Sequence, residues 1–477
     1  MYKKIILISC LVCLCFGFQC IAQTVKTNLY VTLKPCDYLN VFGCQAPHIA
    51  EVTQEFVLEN HKTDTLFLTI DKYGPFQFMM LQFFYQELTI DIISENEKQS
   101  VESNFDGKTL RIPLPISSCT VKLNYLYSSD YETRNYNPFA INATGFYLWP
   151  CMYSWHSWYF SYPNMQFDKV EFQNTDSLLY FFVDASTFKQ NEKSILDTKS
   201  IDGDRGIDFF MIQMPFYHKT TYIQNTNTIN IYLDKGAVLI RNPKGSISNN
   251  TVLPGDRVTQ DFADTCKSVI SLAFEKINTI FPPLQGAVID IFDADLSINN
   301  TFNWGKASSD RNNNHHMVLI DISYWHNYSL IHELIHLYNY VSLQKNDSTY
   351  YFFNESITEY LAVCFYYEDK RKRDEIFNLK IISFAKEPND DYSIFQLSSN
   401  SWDANTVRGS SLVVYDKTPF IIHTLAQMVG EDKFHAALKQ FYAKVAEGMV
   451  VNLPNFEKIL KENGVTEWQW NWFVKSL

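Results

Sequence analysis

The chain has 477 residues, 46% hydrophobic and 19% charged, which is long enough for more than one core and too apolar for an intrinsically disordered protein. A formal net charge of −12 argues against a nucleic-acid partner, since phosphate binding needs clustered lysine and arginine. No repeat or low-complexity tract points to a solenoid.

The first residues, "MYKKIILISCLVCLCFGFQCIAQT", combine a short basic start, an apolar run from Ile5 to Phe18 and a small residue, Ala22. The run is shorter than the roughly 20 residues that cross a bilayer, so residues 1–23 are predicted to be a signal peptide. A secreted, periplasmic or cell-surface protein is expected, with no transmembrane anchor once the signal is removed. Cys10, Cys13, Cys15 and Cys20 fall inside this segment. The remaining six, Cys36, Cys44, Cys119, Cys151, Cys266 and Cys364, form no CxxC pair that would suggest a thiolate zinc site. A small loop joining Cys36 to Cys44 and buried free thiols are both open readings.

From Thr24 to Leu239 the pattern has a period of two, as in "TLFLTI" at Thr65, "ELTIDII" at Glu87, "TLRIPLPI" at Thr109, "TVKLNYLY" at Thr120 and "TINIYL" at Thr228. An N-terminal antiparallel saddle or sandwich over residues 24–245 is predicted. The aromatic belt from Gly145 to Pro163 suits either a packed core or interface, or a ligand groove. After the loop at 242–256 the period lengthens towards 3.6. A helix is predicted near 257–280, stopped by Pro282 and Pro283, then a strand from Gly286. Further helices are predicted near 327–344, 354–371, 418–429, 432–445 and 454–463. The fold class is therefore α+β in two domains, the second, 246–477, being mainly helical.

The segment "SLIHELIHLYNY" carries His332 and His336 at i and i+4, stacked on one face of a helix and able to reach one point. Glu333, between them, suits a general base beside a metal-activated water. Hydrolytic zinc takes three protein ligands and leaves a fourth position for water. Glu355 supplies the third candidate if the chain reverses through Asn346, Asp347 and Ser348 and returns as a second helix.

HExxH followed after eighteen residues by the glutamate of NExxTEY resembles the gluzincin metallopeptidases, specifically the aminopeptidase N family. The resemblance implies a β-saddle domain followed by a thermolysin-like catalytic domain. It also implies one Zn2+ held by His332, His336 and Glu355, Glu333 as general base, and a peptide or protein substrate. The segment "VVYDKTPFIIHTLAQMVGEDKFHAALKQFY" is similar to the family's tyrosine, x, lysine, glycine segment, which makes Tyr415 the phenol that donates to the oxyanion. Thr418 and Pro419, in place of the glycine region, are predicted as N-cap and first helical residue.

Three departures shape the expectation. The family's GxMEN glutamate, which anchors a substrate's free amine, maps to Ser308 or, in another alignment, to His315, and neither is a carboxylate; Asp310 is a further candidate. The family's acidic residue seven beyond the ligand glutamate is Ala362 here, leaving Glu359 to brace a zinc histidine. The sequence ends at "TEWQWNWFVKSL", so a more open site is expected than in relatives with a C-terminal helical domain. The expected function is a zinc-dependent, aminopeptidase N-like peptidase; an endopeptidase of the same fold and a non-catalytic binding protein are the alternatives.

Overall fold

The computed structural model of the protein describes residues 25–35, 48–69, 84–94, 97–102, 104–105, 109–128, 145–148, 160–162, 165–174, 179–183, 186–188, 193–195, 209–213, 217–235, 237–240, 251–254, 256–293, 306–310, 314–320, 328–338, 348–386, 393–397 and 411–477. The predicted signal peptide and the Cys36 to Cys44 loop lie outside these residues, as does most of the aromatic belt. No described helix is long and apolar enough to cross a membrane. Cys119, Cys266 and Cys364 are free, buried thiols.

Period-two sequence becomes sheet in the N-terminal region. Seven strands lie in the order Lys193–Ile195, Met165–Asn174, Val25–Pro35, His48–Leu58, Cys119–Ser128, Phe84–Ile93, Lys98–Val101. Val25, Leu29 and Val31 face Val52, Phe56, Val121 and Leu123 in a buried apolar layer, while the alternate side chains stay partly or fully exposed. Gln54 interrupts that layer and is satisfied in both directions, its amide donating to the Phe160 carbonyl at 2.7 Å and its oxygen accepting from the Phe160 N–H at 2.9 Å. Phe160, from the aromatic belt, is thus a core residue. One expectation is corrected: the sheet is not wholly antiparallel, because Met165–Asn174 runs parallel to Val25–Pro35. Parallel neighbours need a crossover, and residues 36–164 provide the chain for it.

A five-stranded sheet orders Tyr217–Gln224, Asn227–Asp234, Val288–Asp293, His315–Ile320 and Lys306–Asp310. The "TINIYL" strand is buried at seven of the eight positions from Asn227 to Asp234 and pairs in parallel with Val288–Asp293. A strand covered on both faces reads as an apolar run, so periodicity does not reveal its partner. This sheet draws strands from both sides of residue 245.

Helices follow: α1 (Gln260–Ile277), α2 (Tyr328–His336), α3 (Ile357–Tyr366), α4 (Lys370–Lys386), α5 (Thr418–Val429), α6 (Glu431–Ala446), α7 (Leu453–Glu462) and α8 (Glu467–Ser476). The helix predicted over 354–371 is broken. Tyr367 takes an extended conformation (φ −96°, ψ 106°) that ends α3, and α4 begins anew. Neither α4 nor α8 was legible from periodicity; α4 carries charge over its first turns, and α8 is set by the Thr466/Gln469 capping box. The predicted N-cap at Thr418 is also corrected. A π-helical turn, Val413–Lys417, runs directly into α5, so there is no free helix start to cap, and the buried Thr418 hydroxyl has no partner among the described residues.

The α-helical core closes around aromatic rings. Phe352 is fully buried, with Phe353, Phe395, Phe456 and Phe473 at ring-centroid distances of 4.9, 6.2, 5.8 and 5.9 Å. Replacing Phe352 by alanine should lower unfolding free energy by about 3–5 kcal/mol in denaturant titration, through lost burial and an unfilled cavity. A loss under about 1 kcal/mol would show that this cluster does not hold the core.

Candidate active site

Helix α2 is buried on nearly every side. Leu330, Ile331, Leu334 and Ile335 pack into the core, and the same helix turns His332 towards Glu355 and Glu359 and His336 towards Glu355. The i, i+4 offset stacks the imidazoles with ring centroids 4.8 Å apart and planes at 78°. Glu355 does not sit on a regular helix. It belongs to a π-helical turn, Phe352–Ser356, that leads into α3, and such turns redirect side chains at functional positions. A second π-turn, Val413–Lys417, carries Tyr415, and the Ser356 hydroxyl ties the two together by donating to the Val414 carbonyl at 2.8 Å.

These elements bring His332, His336 and Tyr415 to one atom of Glu355. Glu355 Oε2 lies 3.4 Å from His332 Nε2 and 3.5 Å from His336 Nε2, and it accepts a hydrogen bond from the Tyr415 hydroxyl at 3.1 Å. The other oxygen, Oε1, is held by the Asn354 amide at 2.7 Å, which fixes the carboxylate's rotation. Ligand atoms around tetrahedral zinc, each about 2.0–2.1 Å from the ion, stand about 3.3 Å from one another. The donor spacing at Glu355 matches that figure, so the set fits a zinc ion, with two imidazoles and a carboxylate as its chemistry requires.

Glu359 braces the site, as its sequence offset suggested. His332 Nδ1–H donates to Glu359 Oε2 at 2.8 Å, which commits Nε2 to the Glu355 side. Ala362 is core. Lys380, missed by sequence reading, reaches Glu359 Oε1 at 2.6 Å. Its one signal in the sequence was position: Lys380 stands three residues beyond the buried Phe377, on the inward face of α4. His315 is engaged elsewhere, its Nε2 being 2.6 Å from Asp290 Oδ2. Ser308 and Asp310 are edge-strand residues, paired by backbone with Met317 and His315; their side chains lie outside the described set.

Burial and charge set the protonation of the metal-free site. At His332 burial opposes the charged form, but hydrogen bonds to Glu355 and Glu359 and the negative field of Glu359 and Glu333 outweigh it and raise the pKa to about 10. For Glu355 burial also works against the charge, and the facing His336 and His332 still carry it well below the usual carboxylate range. Glu359 is buried too, yet Lys380 and His332 hold it down at about 2. Glu333 differs: burial pushes its pKa up against the opposing fields of His336 and His332. A carboxylate so raised is suited to accepting and returning a proton.

A second group of metal-ligand types, Cys364, Glu431 and His435, also clusters within 4.8 Å. There protein partners already take the donors. Arg373 Nη2 pairs with Glu431 at 3.0 Å, the Tyr360 hydroxyl lies 3.0 Å from His435 Nε2, and burial, with Glu431 nearby, pushes the Cys364 thiol up to about 12. A neighbouring guanidinium neutralises this carboxylate, so the set reads as a packed polar cluster.

No protein-family model matches the chain, and no curated protein matches it. Among solved structures, an aminopeptidase N family protein from Idiomarina loihiensis aligns with a TM-score of 0.52 at 11% identity, covering 91% of this chain and 75% of that one. This chain shares that protein's fold. A variant of the M1 zinc metallopeptidase from Deinococcus radiodurans aligns at a TM-score of 0.46 and 12% identity, covering 95% and 94% of the two chains. Legionella pneumophila aminopeptidase A, in complex with aspartic acid, aligns at 0.46 and 11%, covering 94% of this chain and 49% of its own. At 11% identity the likeness to the Idiomarina protein is one of fold, and the chemistry rests on the side chains described above.

The folded, metal-free protein holds the His332 proton more tightly than the unfolded chain does. That contribution to stability is complete below pH 6.5 and is lost as pH rises towards 10. Denaturant unfolding of chelator-treated protein at about pH 6 and about pH 9 should show a loss of stability that His332→Asn reduces. An equal loss in the variant would contradict the assigned proton.

Proposed function

We propose that this protein is a zinc-dependent peptidase of the aminopeptidase N type, with His332, His336 and Glu355 as ligands, Glu333 as general base and Tyr415 as oxyanion donor. One observation carries the reading: a single carboxylate oxygen, Glu355 Oε2, faces both imidazole Nε2 atoms at 3.4 and 3.5 Å and the phenol at 3.1 Å. In this reading the N-terminal β-region and the helical region are the family's β-saddle and thermolysin-like catalytic domains. Residues 1–23 are a cleaved leader, and the enzyme works outside the cytoplasm, as a secreted, periplasmic or cell-surface protein.

Zinc held at these ligands supplies a Lewis acid that lowers the pKa of water and polarises a peptide carbonyl. The protein's own groups do the rest. Glu333, with its raised pKa, takes the water's proton on its carboxylate as the oxygen adds to the carbonyl carbon. It returns that proton to the amine nitrogen as the C–N bond breaks, so the balance is one water consumed per peptide bond. Tyr415 transfers its hydrogen bond from Glu355 to the carbonyl oxygen as negative charge develops there. Glu359 keeps His332 aligned throughout.

A second reading, cleavage inside peptides, draws on the amine-anchor region. Neither Ser308 nor His315 is a carboxylate, and His315 is already held by Asp290. With no carboxylate at either aligned position, a protonated N-terminus loses the electrostatic partner that the GxMEN glutamate gives, Asp310 being the remaining candidate.

Both readings meet one experiment. A mixed library of free and N-acetylated peptides is digested by zinc-loaded wild type, Glu333→Gln and Tyr415→Phe, with cut positions mapped by mass spectrometry. Wild type should cleave; Glu333→Gln should keep its zinc and lose about 100-fold or more in kcat. Tyr415→Phe should lose about 100- to 1,000-fold. Cuts confined to free N-termini support aminopeptidase action, and cuts within acetylated peptides support the second reading. A Glu333→Gln variant as active as wild type removes the assigned base.

A further inference from the structure

Lys380 is a buried cation that the proposed chemistry leaves unused. From α4 it sends its ammonium to three acceptors: Glu359 Oε1 at 2.6 Å, the Tyr415 carbonyl oxygen at 3.1 Å and Asp416 Oδ1 at 3.6 Å. The ammonium also stands 5.4 Å over the Tyr328 ring, on the first turn of α2. A buried lysine is unfavourable unless its charge and protons find partners, and here the ammonium hydrogen-bonds to Glu359 Oε1 and the Tyr415 carbonyl while Asp416 stands at ion-pair distance. Neutralising Glu359 would need only the first contact. The second goes to the backbone of the residue that carries the phenol.

We infer that Lys380 is a positioning residue that fixes the Tyr415 turn against the metal-binding helix. The contacts run without a gap from His332 Nδ1 through Glu359 and Lys380 to the Tyr415 carbonyl. Val413–Lys417 is a single π-turn, a rare form that recurs at functional positions. An ammonium held by a buried carboxylate supplies an external fixed point for that turn. The Ser356 hydroxyl on the Val414 carbonyl supplies another, from the turn that carries Glu355. Held at both carbonyls, the turn delivers the Tyr415 hydroxyl to within 3.1 Å of Glu355. The inference rests on the peptidase reading, since it names what keeps the oxyanion donor in place. Its geometric part stands apart from any turnover.

The test uses full-length wild type, Lys380→Met, Lys380→Arg, Tyr415→Phe and the Lys380→Met/Tyr415→Phe double variant. Hydrogen exchange by mass spectrometry on each reads the amides of residues 411–420. Exchange there should speed up in Lys380→Met and be partly restored in Lys380→Arg, while peptides covering 431–446 stay as in wild type. With the zinc-loaded proteins, Lys380→Met should lose about 10- to 100-fold in kcat at a KM within about 2-fold of wild type, as expected of a displaced catalytic group. In the Tyr415→Phe background the same substitution should change kcat by less than about 2-fold, because the group it positions is already gone. Unchanged exchange at 411–420, or losses that simply multiply, would overturn the proposal. Should Lys380→Met fail to fold, Glu359→Gln/Lys380→Met removes both buried charges together and is compared with Glu359→Gln alone, with the same expectations. A wild type that hydrolyses no peptide would sink the peptidase reading, yet the exchange comparison would still decide whether Lys380 holds the turn.

Discussion

A carboxylate oxygen from a π-helical turn lies within 3.5 Å of two imidazoles from one helix, and Glu333 and Glu359 are buried beside them. So much charge removed from water is tolerable only when each group faces an opposite one, and the surrounding structure answers that demand. His332 stands between Glu355 and Glu359, Glu359 between His332 and Lys380, and Lys380 among Glu359, Asp416 and the Tyr415 carbonyl. In the metal-free protein a proton on His332 serves as the balancing charge; a divalent ion at the same donors would take its place and release that proton.

The fold supplies rigidity where this arrangement needs it. Helix α2 is anchored by apolar residues on almost all sides, so its two histidines inherit the position of a core element. Glu355 and Tyr415 instead come from π-turns, each running into a helix, and the two turns are joined through Ser356 and Val414. Phe352 and Phe353 belong to the same turn as Glu355 and lock it into the aromatic core. Asn354 takes one carboxylate oxygen so that the other faces the histidines. Side chains that contribute nothing to chemistry thereby determine where the chemical ones point.

Much of the centre was legible because its spacing is helical arithmetic: an offset of four residues from His332 to His336 equals about one turn and one shared face. Glu355 was harder. Eighteen intervening residues fix no geometry by periodicity, and its assignment came from the family resemblance and a plausible reversal of the chain. The π-turns were illegible, since sequence patterning distinguishes 3.6 from 2 but not one inserted residue. They explain why Thr418 is no cap and why the helix expected from residue 354 starts at Ile357. Lys380 escaped notice because a lysine in the sequence reads as solvent-exposed by default, and only its acceptors reveal otherwise. The strand Asn227–Asp234 was legible as a strand, while its parallel partner at Val288–Asp293 was settled by long-range packing that no local pattern records.

The central claim is that three side chains from two neighbouring elements hold one divalent ion. Crystals of zinc-loaded protein, with diffraction recorded on both sides of the zinc absorption edge, test it most directly. The account predicts one anomalous peak within about 2.3 Å of His332 Nε2, His336 Nε2 and a Glu355 carboxylate oxygen. An empty position there, or a Glu355 carboxylate turned away from both imidazoles, would contradict it.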